Sequence, residues 1–527
     1  MTTVNSGEDI GFWRLAPLKR DSVGITDPTG AALSFGEMFD KINQISHLFS
    51  SLGLRMGDTI AVIARNRNET MLTYLAAMQS GLYYTPINYH ALVSDIAYIL
   101  KDSDSLLVVC HPDFIDKAKE AADQAGINAN RRISLGDGHG FTPLSELIDG
   151  MPTALPDARP AGQVLQYTSG TTGRPKGVRR KVSGVDADTA SSSLKWVLGM
   201  YGINSEKGGC MLMTTPVYHT AGLNISALAL HFGISLVLMD NWTPESMLES
   251  IQTFRANMTV VVPTQFVRLL KVPKEVRDSY DISSLEWAIH GAAPCSPEIK
   301  RQMIEWWGPI IFEYYGSTEV GGTFVNSHDW LKHPGTVGKP GPVTKLRILD
   351  DEDNELPPNQ IGRVFMRQGD DQVEYLHDPE KTAKSRVRDM MTVGDIGWVN
   401  EDGFLFLVGR TSEVMIVGGV NIYPAEVENA LLEHPAISDA CVFGVPNDEY
   451  GEEIYAAVVA REKGVVDGQP RAQELLDVVM EHCRTNLAKY KCPHTISFRE
   501  EIPRDPNGKM YRKKLRDPFW EGRERGI

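Results

Sequence analysis

Short apolar runs of four to six residues recur along this 527-residue chain, and most are followed by a stretch with helical spacing. Residues 59–64 (TIAVIA) read as a buried strand, and 69–81 (ETMLTYLAAMQSG) as a helix that stops at a glycine. Residues 106–110 read as a strand and 114–125 as a helix, with further short strands at 234–239, 258–262 and 287–290. This alternation predicts α/β architecture with mostly parallel sheets. Residues 334–409 differ, being rich in Gly, Pro and short alternating runs, and predict antiparallel β structure with a barrel-like segment. Beyond 409 the pattern predicts strands at 414–417, 441–443 and 454–459 and helices at 425–433 and 473–488, a compact α+β unit of ordinary domain size. The expected layout is a large N-terminal α/β domain over 1–408, a hinge at 409–413, and a small, mobile C-terminal α+β domain over 414–527.

The formal net charge of −15 argues against general affinity for nucleic acid or anionic membranes. A phosphate-bearing ligand must then meet local positive charge or backbone N–H groups. The six cysteines form neither a metal framework nor a disulfide framework, which suits a reducing cytoplasm. The first 20 residues contain no apolar signal region, and no apolar run approaches the ~18 residues of a membrane span. The expectation is a cytoplasmic protein with no integral membrane segment.

The stretch 167–177, YTSGTTGRPKG, places four Ser/Thr hydroxyls, three glycines and Lys176 within eleven residues. Glycines let backbone approach an anion closely, and hydroxyls and N–H groups then bond its oxygens. The loop is phosphate-cradling by composition, although it is not a Walker A loop, because Pro175 rather than glycine precedes Lys176. Further motifs follow in order: PVYHTAG at 216–222, GAAP at 291–294, YGSTE at 315–319, GDIG at 394–397, Gly409-Arg410, GGVNIYPAEVE at 418–428, and PNGK at 506–509.

In this order the motifs resemble, over nearly the whole chain, those of the adenylate-forming superfamily of acyl-CoA synthetases, luciferases and peptide-synthetase adenylation domains. Bacterial acyl-CoA synthetases are the nearest in texture. The resemblance implies two half-reactions: a carboxylate attacks the α-phosphate of ATP, and a thiol then displaces AMP. It makes Lys509, Thr168, Lys176, His219 and Glu319 the catalytic candidates, with Lys509 bridging the carboxylate and the α-phosphate and Glu319 holding Mg²⁺. The implied nucleotide site comprises Thr168, Ser169, Gly170, Thr171, Thr172, Ala292, Ala293, Pro294, Glu313, Tyr314, Tyr315, Gly316, Thr318, Asp395, Arg410 and Lys509. Tyr315 would stack on adenine, while Asp395 and Arg410 would meet the ribose. The acyl pocket would be lined by His219, Gly222, His290, Gly291, Gly316, Gly321 and Gly322, whose glycines suggest room for a bulky acid. Gly418 and Gly419 would line a tunnel for coenzyme A, and Glu413 takes the hinge position, where the family usually has Asp or Lys.

Amino-acid-activating relatives usually place an Asp in the second motif, whereas this chain has Tyr218-His219-Thr220-Ala221. The implied substrate is therefore a carboxylic acid without an α-amino group: a medium- or long-chain fatty acid, or a bulky alicyclic, aryl or steroid-side-chain acid. ATP, Mg²⁺ and coenzyme A are the expected cofactors and co-substrates. The rival readings are an acyl-AMP ligase that loads a carrier protein, a non-catalytic nucleotide-binding protein, and a luciferase-type oxidase. Residues 423–433 offer a surface for self-association, so a homo-oligomer stays open.

Overall fold

The computed structural model describes residues 10–168, 175–203, 208–369, 373–504 and 510–522. Its N-terminal part is built on two sheets. The first has six parallel strands in the order Thr142–Pro143, Arg132–Ser134, Ser105–Cys110, Thr59–Ile63, Tyr83–Pro86 and Gln163–Val164. Every residue of Thr59–Ile63 is buried, as a central parallel strand covered on both faces requires. The helix Asn68–Gln79 follows, and Gly81 turns the chain back with φ +69°.

The second sheet has nine strands. Its parallel centre runs Ile311–Ser317, Trp287–His290, Met258–Val261, Cys210–Met213 and Ser235–Leu238. Val23–Thr26 joins in parallel beside Ser235–Leu238, an N-terminal strand that the sequence pattern did not announce. Gly321–Asn326 returns antiparallel at the other side. Apolar residues on the two faces of this sheet enter separate cores: Ile289 packs with the N-terminal helices, and Ala288 with Phe266, Met303 and Trp307.

A six-stranded antiparallel sheet follows, with Thr344–Leu349 as its first strand and including Gly362–Gln368, Asp395–Val399 and Leu405–Arg410. The C-terminal part is a five-stranded sheet. Its centre is the long antiparallel pair Ile437–Asn447 and Gly451–Ala460, and the helices Pro424–Glu433 and Pro470–Asn486 pack with it. Val427, Leu431, Val442, Val458 and Val479 fill a hydrophobic core of its own. The fold is thus mixed α/β, with a large N-terminal domain and a small C-terminal one. Among the described residues no helix is long and apolar enough to cross a membrane.

Candidate active site

Three hairpins converge on one region. The first is the pair Gln166–Thr168 and Lys176–Arg180, in which Lys176 lies opposite Thr168. Ser169, Gly170, Thr171 and Thr172, in the connection between them, lie outside the described residues, as does Lys509. The ammonium of Lys176 sits 2.5 Å from Asp378 Oδ2, and this hydrogen bond holds its pKa above the ordinary lysine value. The other edge of Lys176–Arg180 pairs with Val373–Tyr375.

The second hairpin is Ile311–Ser317 with Gly321–Asn326, whose connection presents Thr318, Glu319 and Val320. Glu319 is buried and accepts a hydrogen bond from Tyr375 Oη at 3.1 Å. That contact ties the second hairpin to the strand Val373–Tyr375 at the edge of the first. Thr318 Oγ1 lies 3.1 Å from Thr220 Oγ1, and His219 is the N-cap of the helix Thr220–His231. The fold therefore brings PVYHTAG and YGSTE, about a hundred residues apart in sequence, into direct contact.

The third hairpin, Asp395–Val399 with Leu405–Arg410, sets Asp395 directly opposite Arg410. Asp395 Oδ1 accepts from Arg410 Nε at 2.8 Å, and Oδ2 accepts from Tyr315 Oη at 2.5 Å. Burial and the neighbouring carboxylate raise the Tyr315 phenol well above its usual pKa, so it stays a donor. Burial works against the charged form of Arg410, and the carboxylates of Asp395 and Glu413 more than offset it. A carboxylate offers about four lone-pair positions, so two remain on Asp395 for further donors such as a pair of hydroxyls.

Ala292 has φ +66°, a left-handed conformation unusual for a residue with a side chain. Beside it, a Cβ on Gly291 would lie 2.5 Å from the Tyr314 carbonyl oxygen, so the GAAP turn and the strand of Tyr314 meet at backbone distance. Gly316 and Gly322 face each other across the second hairpin. A Cβ on Gly316 would lie 2.6 Å from the Gly321 carbonyl oxygen, and one on Gly322 would lie 2.4 Å from that of Tyr315. A Cβ on Gly222 would lie 2.4 Å from the Pro216 carbonyl oxygen. Close backbone approach is one requirement that these glycines meet. Gly321 adds a left-handed φ of +80°. Gly418 and Gly419 are both left-handed and form the two-residue turn between Met415–Val417 and Val420–Ile422.

His290 and Glu313 face the core. Glu313 accepts from the fully buried Lys300 at 2.6 Å, and His290 Nε2 stands 3.6 Å from the same carboxylate. Neither ring nitrogen of His290 has a hydrogen-bond partner. Burial drives Glu313 up, and Lys300 and His290 down, in pKa. Lys300 carries a legible signal: it shares the stripe of Met303, Ile304 and Trp307 on the helix Pro297–Trp307, where a charge is out of place unless paired. Tyr375 and Asp378, which hold Glu319 and Lys176, belong to no motif and had no such signal.

Glu413 lies 3.5 Å from Arg512, whose guanidinium also pairs with Glu428 at 2.5 Å and bonds the Val442 carbonyl. Among the described residues no group of three or more His, Cys, Asp or Glu side chains could cage a metal ion. Glu319 supplies a single hard oxygen site, suited to a Mg²⁺ ion that takes its other ligands from phosphates and water.

The family model of the AMP-binding enzyme matches residues 12–371, and that of the AMP-binding enzyme C-terminal domain matches residues 426–509. The chain belongs to the AMP-binding enzyme family. It is thereby a member of the adenylate-forming superfamily, close to acyl-CoA synthetases. This AMP-binding enzyme is 30% identical over 495 residues to a sulfoacetate–CoA ligase of Cupriavidus necator, covering 93% of each chain. It is 29% identical over 503 residues to the fatty acid–[acyl-carrier-protein] ligase ScoC of Streptomyces coeruleorubidus, covering 93% of this chain and 92% of that one. Among solved structures, ATP-bound MatB from Rhodopseudomonas palustris superposes with a TM-score of 0.83 at 26% identity, covering 97% of this chain and 99% of that one.

Proposed function

We propose that this AMP-binding enzyme is an ATP-dependent acyl-CoA synthetase. In the first half-reaction a substrate carboxylate oxygen forms a bond to the α-phosphorus of ATP, and the bond to the pyrophosphate oxygen breaks. In the second a thiolate adds to the acyl carbon of the adenylate, and AMP leaves with its electron pair. The observation that carries the reading is the Tyr315–Asp395–Arg410 hub, two hydrogen bonds around one buried carboxylate, in which Tyr315 lies on the strand that leads to Thr318 and Glu319. Asp395 and Arg410 hold the ribose, Tyr315 lies against the adenine opposite Ala292, Ala293 and Pro294, and Thr318 meets the α-phosphate. Thr168, Lys176 and the loop Ser169–Thr172 hold the outer phosphates.

Two anions meet in the first step, so fixed donors and cations must offset their repulsion before it begins. Lys509 serves this role at the α-phosphate. Mg²⁺, held by Glu319 and phosphate oxygens, would neutralise developing charge on the leaving group. His219 stands between the nucleotide and acyl sites. The small domain, 414–527, turns about 409–413 between the half-reactions and brings the Gly418–Gly419 turn to the path of the thiol. Six free cysteines accord with a cytoplasmic setting.

The acid is a hydrophobic one, a medium- or long-chain fatty acid or a bulky ring acid. The absence of an Asp at the second motif and the fatty acid ligase among the relatives support this choice. That same relative acts on a carrier protein, and it favours a second reading in which the thiol is a carrier's pantetheine rather than free coenzyme A. Pyrophosphate release from ATP and Mg²⁺ with a panel of acids, with and without coenzyme A, tests both. Acid-dependent release raised by coenzyme A, with a thioester seen by mass, is expected. Release that coenzyme A leaves unchanged would favour the carrier-loading ligase, and no release with any acid would end both readings.

A further inference from the structure

The hairpin of Gln166–Thr168 with Lys176–Arg180 is gripped from outside by two carboxylates. On its first strand Tyr167 Oη donates to Asp102 Oδ2 at 2.7 Å, and Asp102 is the last residue of the helix Val93–Asp102. On its second strand Lys176 Nζ donates to Asp378 Oδ2 at 2.5 Å. Tyr167 pairs across the hairpin with Gly177, beside Lys176. The two outer segments are joined as well, because His377 Nε2 lies 3.1 Å from the Asp102 carbonyl oxygen. The contacts close a ring that runs from Asp102 through Tyr167, Lys176, Asp378 and His377 back to Asp102. His377 holds a left-handed φ of +54° where it closes that ring, a strained conformation that the surrounding contacts must sustain.

Asp378 gives its two oxygens separate tasks. Oδ1 accepts from the Lys381 N–H at 3.0 Å and so caps the N-terminus of the helix Pro379–Lys384. The cap fixes the carboxylate, and Oδ2 is thereby held towards Lys176. Three residues earlier Tyr375 Oη donates to Glu319, and the Lys381 ammonium braces that ring at 3.9 Å from its centre. One short segment, Tyr375–Asp378, therefore sets where a cation and a carboxylate of the site stand relative to each other. A lysine is a point charge on a flexible four-carbon stem, so its position is the costly thing to fix. Holding it before a ligand arrives removes that ordering cost from binding. An ammonium has three donors, and Asp378 uses one, which leaves two for oxygens of a ligand.

We propose that Asp378 is a positioning residue for adenylation, which holds the Lys176 ammonium in place for the outer phosphates of ATP. The proposal rests on the reading given above, in which Lys176 meets those phosphates. Asp378 touches no substrate and acts through the lysine alone. The ring of contacts through His377, Asp102 and Tyr167 keeps the hairpin and the segment of Asp378 in register, so that the carboxylate and the lysine do not drift apart.

The test is calorimetric titration of the full-length protein with ATP and, separately, with AMP, in the absence of acid. Asp378→Asn and Asp378→Ser both keep a preferred N-cap and lose the charge, so the helix and the melting temperature should be preserved. Each should weaken ATP binding by about tenfold, within the range of coupling between hydrogen-bonded neighbours. AMP lacks the outer phosphates, and its affinity should change by less than about twofold. In a Lys176→Met background the same substitutions should add less than about twofold, because a residue that acts through the lysine has nothing left to act on. Equal weakening of ATP and AMP would make Asp378 a structural residue only. Losses that add in full to that of Lys176→Met would separate it from the lysine. Tighter ATP binding in Asp378→Asn would make the contact a restraint that the nucleotide must break. Each of these results overturns the proposal. Failure of acid-dependent pyrophosphate release would remove the synthetase reading and leave the comparison of ATP with AMP standing. Normal release with ATP binding unchanged in both Asp378 variants would remove the positioning role and leave the synthetase.

Discussion

Replacing Asp395 by Asn keeps the shape of the hub and removes its charge. In the structure Oδ1 takes Arg410 and Oδ2 takes Tyr315, which leaves about two lone-pair positions for the ribose hydroxyls. An amide has one acceptor oxygen, and its NH₂ group would face either Arg410 or Tyr315 as a second donor. At least one ribose bond must then be lost or turned round, and the partly exposed Arg410 loses its ion pair. A hydrogen bond to a charged group contributes about 1.5–3 kcal/mol. A loss of about 2–3 kcal/mol corresponds to a rise of about 30- to 150-fold in the KM for ATP. The assay is steady-state pyrophosphate release with ATP varied at saturating acid, then acid varied at saturating ATP. The KM for the acid should move by less than about threefold, because the hub lies on the nucleotide side. Tyr315→Phe removes a donor from the same charged carboxylate and should cost about 1.5–3 kcal/mol in the same assay. An Asp395→Asn enzyme that melts like the wild type and keeps its KM for ATP would refute the assignment of the hub to the nucleotide.

Lys509→Ala should slow adenylation by two or more orders of magnitude, on the order of what one preorganised charged donor contributes to a transition state, yet leave thioester formation from preformed acyl-adenylate largely intact. Equal loss in rapid-quench measurements of the two half-reactions would contradict this division. Lys300→Ala leaves the buried Glu313 carboxylate without its partner and should destabilise the fold by about 3–5 kcal/mol in urea unfolding, whereas Lys300→Met with Glu313→Gln should recover much of that. An equally large loss in the double variant would show that the pair is not the cause. His231 is buried, accepts a hydrogen bond from the Phe12 N–H through Nδ1, and has its pKa lowered by burial from 6.5 to about 4. Below pH 6.5 the unfolded chain takes up this proton first, so the contribution of neutral His231 is complete above pH 6.5 and lost as the pH falls to about 4. At 1.36 kcal/mol per pH unit the loss amounts to about 3 kcal/mol, and His231→Gln should flatten this limb of the stability profile.

The parallel strands were legible because burial on both faces turns each into an unbroken apolar run, as at Thr59–Ile63. The strand Val23–Thr26 was not, because its place beside Ser235–Leu238 is decided by a partner some two hundred residues away and leaves no periodic trace. The site divides in the same way. Asp395, Arg410, Glu319 and Thr318 stand in short ordered motifs, and the register of two hairpins brings them together. Tyr375 acts on Glu319, and Asp378 on Lys176, from a neighbouring strand and its adjoining turn, through contacts that only the tertiary fold creates. The glycines have a use beyond the pocket room expected of them. Gly316, Gly322 and Gly222 are where backbone passes close to backbone, and a sequence does not distinguish a glycine that makes room for a ligand from one that makes room for the chain itself.

Arg512 links the hub to the proposed rotation. Its guanidinium is fixed within the small domain, at 2.5 Å from Glu428 and on the Val442 carbonyl, so Arg512 travels with that domain. Its Nε has no hydrogen-bond partner and faces Glu413, the proposed hinge residue, across 3.5 Å. On the other side Glu413 and Asp395 together favour the charged form of Arg410. Charges therefore alternate from Asp395 through Arg410, Glu413 and Arg512 to Glu428; the Glu413–Arg512 contact at 3.5 Å is longer than the Asp395–Arg410 and Arg512–Glu428 pairs at either end. A turn about 409–413 can stretch this contact while the Asp395–Arg410 and Arg512–Glu428 pairs stay closed. Glutamate at 413 fits this arrangement, since aspartate is one methylene shorter and would draw the carboxylate back from a guanidinium that the small domain holds in place.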